Sequence, residues 1–98
     1  MELKLISFEK SDDSKHKYEV VIHNKKTNKD KTIKFGAFGM SDYTQHRDEN
    51  RKDLYDIRHS KKEDWSNPLT AGFWAKWILW NKKTIKESLA DVVKRFNL

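Results

Sequence analysis

One short stretch constrains this chain more than any other. Phe73-Trp74-Ala75-Lys76-Trp77-Ile78-Leu79-Trp80 is almost wholly apolar, in a sequence where 37% of the residues are charged. Phe73, Trp77 and Trp80 recur at i, i+4 and i+7, so the spacing predicts a helix entered after Asn67-Pro68. Its large side chains nevertheless point to nearly all sides, and a helix apolar all round must be buried on all sides. A chain of 98 residues has room for one core, so this segment is the surface on which the rest must pack. Such a small domain can barely bury it. Trp74, Trp77 and Trp80 are therefore also a candidate protein interface, because tryptophan is favoured at interface hot spots.

What packs on it follows from the flanking patterns. Leu3 to Phe8 is rich in strand-compatible residues, and Ser11-Asp12-Asp13-Ser14 is turn chemistry. Tyr18, Val20 and Ile22 alternate with more polar neighbours, as do Ile33, Phe35 and Ala37, with a lysine-rich hairpin loop over 24–29 between them. Residues 1–40 thus read as a three-stranded antiparallel β-meander with one apolar face. Residues 41–98 read as a helical module of about three helices. A highly charged helix over 44–62 comes first and the tryptophan helix second. The third follows the Thr84-Ile85-Lys86-Glu87 capping box and carries Ile85, Leu89, Val92, Val93 and Phe96 at helical spacing. The expected fold is α+β, a single small domain over 1–98.

Composition removes several functions. Without cysteine there is no disulfide framework, thiol nucleophile or Cys-based zinc site. No stretch approaches the roughly 18 apolar residues of a membrane span, and no signal-peptide core is visible, so neither membrane insertion nor secretion is expected. The formal net charge of +6 instead favours an anionic partner.

The charged middle helix is where such a partner is expected. On a helical wheel over 43–64, Arg47, Arg51, Arg58 and Lys62 fall within about 60° of one another, with Tyr55 close to them. Tyr43, Leu54 and Ile57 form a narrow apolar stripe beside them, and Glu49, Asp53, Asp56 and Glu63 lie opposite. Arginine forks match phosphate oxygens, and Tyr55 or His59 would stack on or bond a base or sugar. The alternative is a solvated helix whose charges pair among themselves. Lys25, Lys26, Lys29, Lys31 and Lys34 either extend the basic field or protect a sheet edge.

Catalytic and metal signals are weaker. Asp42 and His46 share an i, i+4 spacing that metals use, but His46 and His59 are about 140° apart on an ideal helix. No HExxH motif is present, no serine sits in a nucleophile elbow, and no metal or cofactor is expected. An acid–base reading would use His46, Arg51, His59 and Asp64. His16 and His23 look structural. Gly36-Ala37-Phe38-Gly39 is either a backbone nest for an anion or a glycine-permitted exit from the third strand.

Residues 42–90 also carry a recognisable string: Asp42-Tyr43-Thr44, His46, Arg51-Lys52, Tyr55, Arg58-His59, Glu63-Asp64-Trp65, Thr70-Ala71-Gly72-Phe73-Trp74, Trp77-Ile78-Leu79-Trp80-Asn81, Thr84 and Ser88. This string resembles a family of small proteins of uncharacterised function from giant and other large DNA viruses, with related sequences in some phages. The resemblance implies a viral setting, in the virion or in the cytoplasm or nucleus of the host cell. It supplies no catalytic residues, and it implies that the middle helix and the tryptophan segment act as one module.

Three functions are consistent with these residues. The first is a small basic module that binds or packages nucleic acid without catalysis. The second is a structural adaptor docking on a viral or host protein through its tryptophan helix. The third is a small nuclease or hydrolase using His46 and His59, which requires those two side chains to share a pocket.

Overall fold

The alternating pattern of the first third produces the expected sheet. In a computed structural model describing residues 2–98, β1 (Leu3–Lys10), β2 (His16–Asn24) and β3 (Lys29–Ala37) form an antiparallel meander in that order. Val20, Ile22, Ile33 and Phe35 point to one face and are buried, as period-2 alternation requires. β1 reaches the same face with Leu3, Leu5 and Phe8, whose numbers change parity. A bulge makes this possible: Leu5 pairs with Ile22 and Ser7 with Val21, leaving Ile6 as the extra residue, exposed to solvent.

Helices follow, as expected, although four α-helices form among the described residues rather than about three. They are α1 (Tyr43–His46), α2 (Glu49–His59), α3 (Ala71–Trp74) and α4 (Ile85–Phe96). α3 runs directly into a π-helical turn, Ala75–Leu79, where the wider winding adds a residue to the turn. The tryptophan segment is the centre of the molecule. Trp74 lies over Phe35 of the sheet at 6.3 Å, and Phe73 meets Phe96 of α4 at 4.8 Å. Phe73, Trp74 and Ile78 are fully buried. The Trp74 indole N–H donates to the Pro68 carbonyl at 2.8 Å, so its one polar atom is satisfied inside the core.

That burial corrects the proposed interface. Trp74 is unavailable to a partner, because it is fully buried against Phe35, Phe73 and the Pro68 carbonyl. Trp77 is half-buried: its ring faces Phe96 at 5.3 Å and the Arg95 guanidinium at 4.7 Å, and its N–H donates to the Trp65 carbonyl. Lys76, inside the apolar run, is buried with its ammonium on Asp56 of α2 at 2.8 Å and over the Trp65 ring. Two glycines permit this packing. A Cβ on Gly36, whose φ is +78°, would sit 2.8 Å from a Leu79 methyl, and one on Gly72 would sit 2.9 Å from the Glu63 carboxyl carbon.

The middle helix needs the second correction. It is two helices, because Arg47 closes α1 in the left-handed conformation at φ 55°. Asp42 caps α1 in a capping box with Gln45, and the Asp48 carboxylate starts α2 by accepting from the amides of Asn50 and Arg51. The wheel over 43–64 therefore does not exist as a surface. Arg47 leaves the basic edge, Lys62 lies beyond the end of α2, and Arg51 and Arg58 alone remain on one helix. The apolar stripe is also lost: Tyr43 is buried, but Leu54 and Ile57 are 57% and 65% exposed. No helix among the described residues is long and apolar enough to cross a membrane.

Candidate functional site

Between the ends of β2 and β3 on one side and α2 and α3 on the other runs a groove of about 500 Å³. Lys15, Lys17 and Lys34 reach it from the sheet side, and Arg58 from the last turn of α2. Tyr55, Leu79 and Trp80 line it from the helical layer, and Asp42 and Glu63 are its carboxylates. Of the residues expected at an anionic interface, the fold brings Arg58, His59 and Tyr55 to this groove. Arg51 reaches only its rim, donating to the Ser41 hydroxyl at 3.0 Å. Arg47 and Lys62 are exposed and outside it.

Tyr55 has a different role from the one expected. Its ring is 7% exposed and stacked on Trp80 at 4.4 Å and on His59 at 4.2 Å. Both neighbouring rings are the protein's own, so Tyr55 does not offer a face to a base. Burial, followed by the Glu63 and Asp56 carboxylates, pushes its phenol well above the ordinary value, and it stays neutral. The stack instead holds α2 against the tryptophan segment and so fixes Arg58 and His59 at the groove.

Each groove histidine has a carboxylate partner. His59 Nδ1 lies 3.2 Å from Glu63 Oε1, and the Trp65 indole N–H donates to the other Glu63 oxygen at 2.9 Å. His16, which looked structural, lines the sheet side, with Nδ1 3.0 Å from Asp13 Oδ2. The Lys15 backbone amide and then His16 hold the Asp13 carboxyl below its usual value. Lys17 is spoken for, with its ammonium 2.5 Å from the buried Asp42 and 2.9 Å from Gln45. Lys34 is shared with Asp12 and Asp13 at 3.4 and 3.9 Å. Arg58 and Lys15 form no ion pair among the described residues.

The acid–base constellation does not assemble. His46 packs on Trp80 at 5.3 Å, so the rings of Trp80 and Tyr55 separate it from His59. His46 Nδ1 accepts from the Asp48 amide at 2.9 Å, which leaves the proton on a buried Nε2 with no acceptor. Asp64 is turned back on Ser66. The Asp42–His46 spacing holds no metal geometry either, since Asp42 serves Lys17 and Thr44. Among the described residues no three His, Asp or Glu side chains are arranged to hold an ion. Nor does the glycine loop form a nest: the Phe38 amide donates to the Lys15 carbonyl and the Met40 amide to Ala37. It is the exit from β3, with Gly36 and Gly39 at φ 78° and 89°.

Sequence reading missed Lys15, Lys17, His16 and Asp42 as groove residues. The one local signal was the i, i+4 spacing of His59 and Glu63; Lys17 and Asp42 meet across 25 positions, which no short motif records. Comparison with curated proteins and with solved structures found no match. Residues 6–59, which run from the first strand through α2 and end before the tryptophan segment, match DUF5754, a family of unknown function, and the chain belongs to that family.

Proposed function

We propose that this protein is a non-catalytic module that binds nucleic acid in the groove between the sheet and α2. The observation that carries the reading is the convergence of Lys15 from the β1–β2 turn, Lys34 from β3 and Arg58 from α2 on one groove. Cations brought together from distant positions are not explained by helix solvation, and a phosphate chain is the ligand that meets several at once. The virion or the host cell, and packaging of a genome as the task, belong to the same proposal.

The test is titration of labelled single- and double-stranded DNA and RNA at 50 and 200 mM salt. Three phosphate contacts predict a loss of affinity of about 20- to 40-fold between those salts. The Lys15→Ala/Arg58→Ala variant is expected to bind weakly and with a shallower salt dependence. Absent binding, or binding indifferent to salt, would sink the reading.

A second reading is an adaptor that docks on a viral or host protein. Its support is the exposed pair Leu54 and Ile57, one turn apart on α2, rather than the tryptophan helix. Sedimentation that shows only monomer at every concentration, with no change on Ile57→Lys, would count against self-association through that face.

A further inference from the structure

The turn that leaves β3 exposes two large apolar side chains, Phe38 at 70% and Met40 at 66%. A single exposed phenylalanine is ordinary. This one differs in how it is held and in what surrounds it. The backbone beneath it is fixed: the Phe38 amide donates to the Lys15 carbonyl at 3.0 Å, and the Met40 amide to the Ala37 carbonyl at 3.2 Å. Asp42, two residues further on, is buried and gripped by Lys17. An ordered turn thus holds an unpaired aromatic ring out in water.

Cations lie on both sides of it. The groove with Lys15, Lys34 and Arg58 lies on one side. On the other lies a second hollow of about 480 Å³, lined by Phe38 together with Lys10, Lys17 and Tyr18. The two hollows share Lys17, Met40, Ser41 and Asp42, so the turn is the ridge between them.

We propose that this ridge is a base-stacking platform and that the ligand is single-stranded nucleic acid crossing it. A nucleobase lies on the Phe38 ring, with phosphates near Lys10 on one side and near Lys15 and Arg58 on the other. The proposal rests on the nucleic-acid reading above. In a duplex both faces of each base are covered by its neighbours, so only an unpaired strand has a face to give. Stacking of this kind tolerates any base, since every base has a π-face, and no base-edge reader is required.

The experiment uses the full chain and fluorescence anisotropy with three probes: a labelled 12-mer of oligo(dT), one of oligo(U), and a mixed-sequence 12-bp DNA duplex. Single strands are expected to bind more tightly than the duplex at equal salt. Phe38→Ala should weaken single-strand binding on the order of tenfold, with the duplex affinity and the salt slope unchanged, and Phe38→Trp should restore it. Near-UV circular dichroism confirms that these exposed-site variants keep the fold. Duplex binding as tight as single-strand binding, or no loss in Phe38→Ala, overturns the platform. Salt-sensitive binding that ignores Phe38 ends this inference alone, whereas absence of any binding ends the nucleic-acid reading with it.

Discussion

α4 and α2 are nearly equal in length, 12 and 11 residues, and each begins with a side-chain cap. They are held in opposite ways. α4 lays a continuous apolar face on the core: Val92 is fully buried, with Ile85, Leu89, Val93 and Phe96 around it. Its ends follow the sequence, with the Thr84 hydroxyl accepting from the Glu87 amide and Lys94 and Arg95 in the last turn. α2 has no such face. It is docked by the ring of Tyr55 and by Asp56, which receives the ammonium of the buried Lys76. A helix fixed at separate points, with Glu49 and Arg51 also bonded to Tyr43 and Ser41, keeps more of its surface free for a ligand than a helix fixed along a stripe.

The largest expected effect lies at the first of those points. Tyr55→Ala removes an almost buried ring and is predicted to destabilise the fold by about 3 kcal/mol. In hydrogen exchange the amides of α2 should lose protection well before those of α4. If both helices lose protection together, the description of α2 as held at separate points fails.

A smaller effect separates the helices by pH. Burial pushes the Asp91 carboxyl up, but hydrogen bonds from Asn81 and Arg95 more than offset this, and its folded value lies below 3.8. A group depressed on folding contributes stability above its unfolded value, and this is lost as pH falls through the folded one. Wild type should therefore lose stability relative to Asp91→Asn as pH drops from about 4 towards 2, when measured by urea denaturation. Its partner Arg95 is about half exposed to solvent, so the difference should stay under about 1 kcal/mol. Parallel stability curves for the two proteins would remove Asp91 as an anchor of α4.

Smallest of all, Leu54→Lys and Ile57→Lys should each change stability by no more than about 0.5 kcal/mol, because neither side chain is covered. A loss near 2 kcal/mol in thermal or urea unfolding would show that α2 has an apolar face in contact after all.

The same contrast explains what the sequence revealed. Period-2 alternation and the Thr84 cap are local signals, and the sheet and α4 follow them. The tryptophan run was legible as core because no other placement buries it. The division of the middle helix was also written locally, since Asp48-Glu49 after Arg47 is cap chemistry, but a helical wheel assumes continuity and hides it. The bulge at Ile6 left only a parity change between Leu5 and Phe8. The groove was least legible. Its cations come from the start of β2, from β3 and from the end of α2, and only the folded chain makes them neighbours. Tyr55 lines the groove without offering it a face, and periodicity cannot tell a ring that awaits a ligand from one already stacked by Trp80.

The π-helical turn over Ala75–Leu79 has a consequence for how the chain tolerates change in length. An α-helix advances about 100° per residue, so a turn with one residue more resets the phase of everything after it. Before the reset Trp74 is set for the sheet and Phe73 for α4, and Trp80 after it is set for Tyr55. Loss of one residue within the turn would let it return to α winding, and the two changes cancel, so Trp80 stays near its stack. Along these five residues the protein can lose an amino acid and keep the angle.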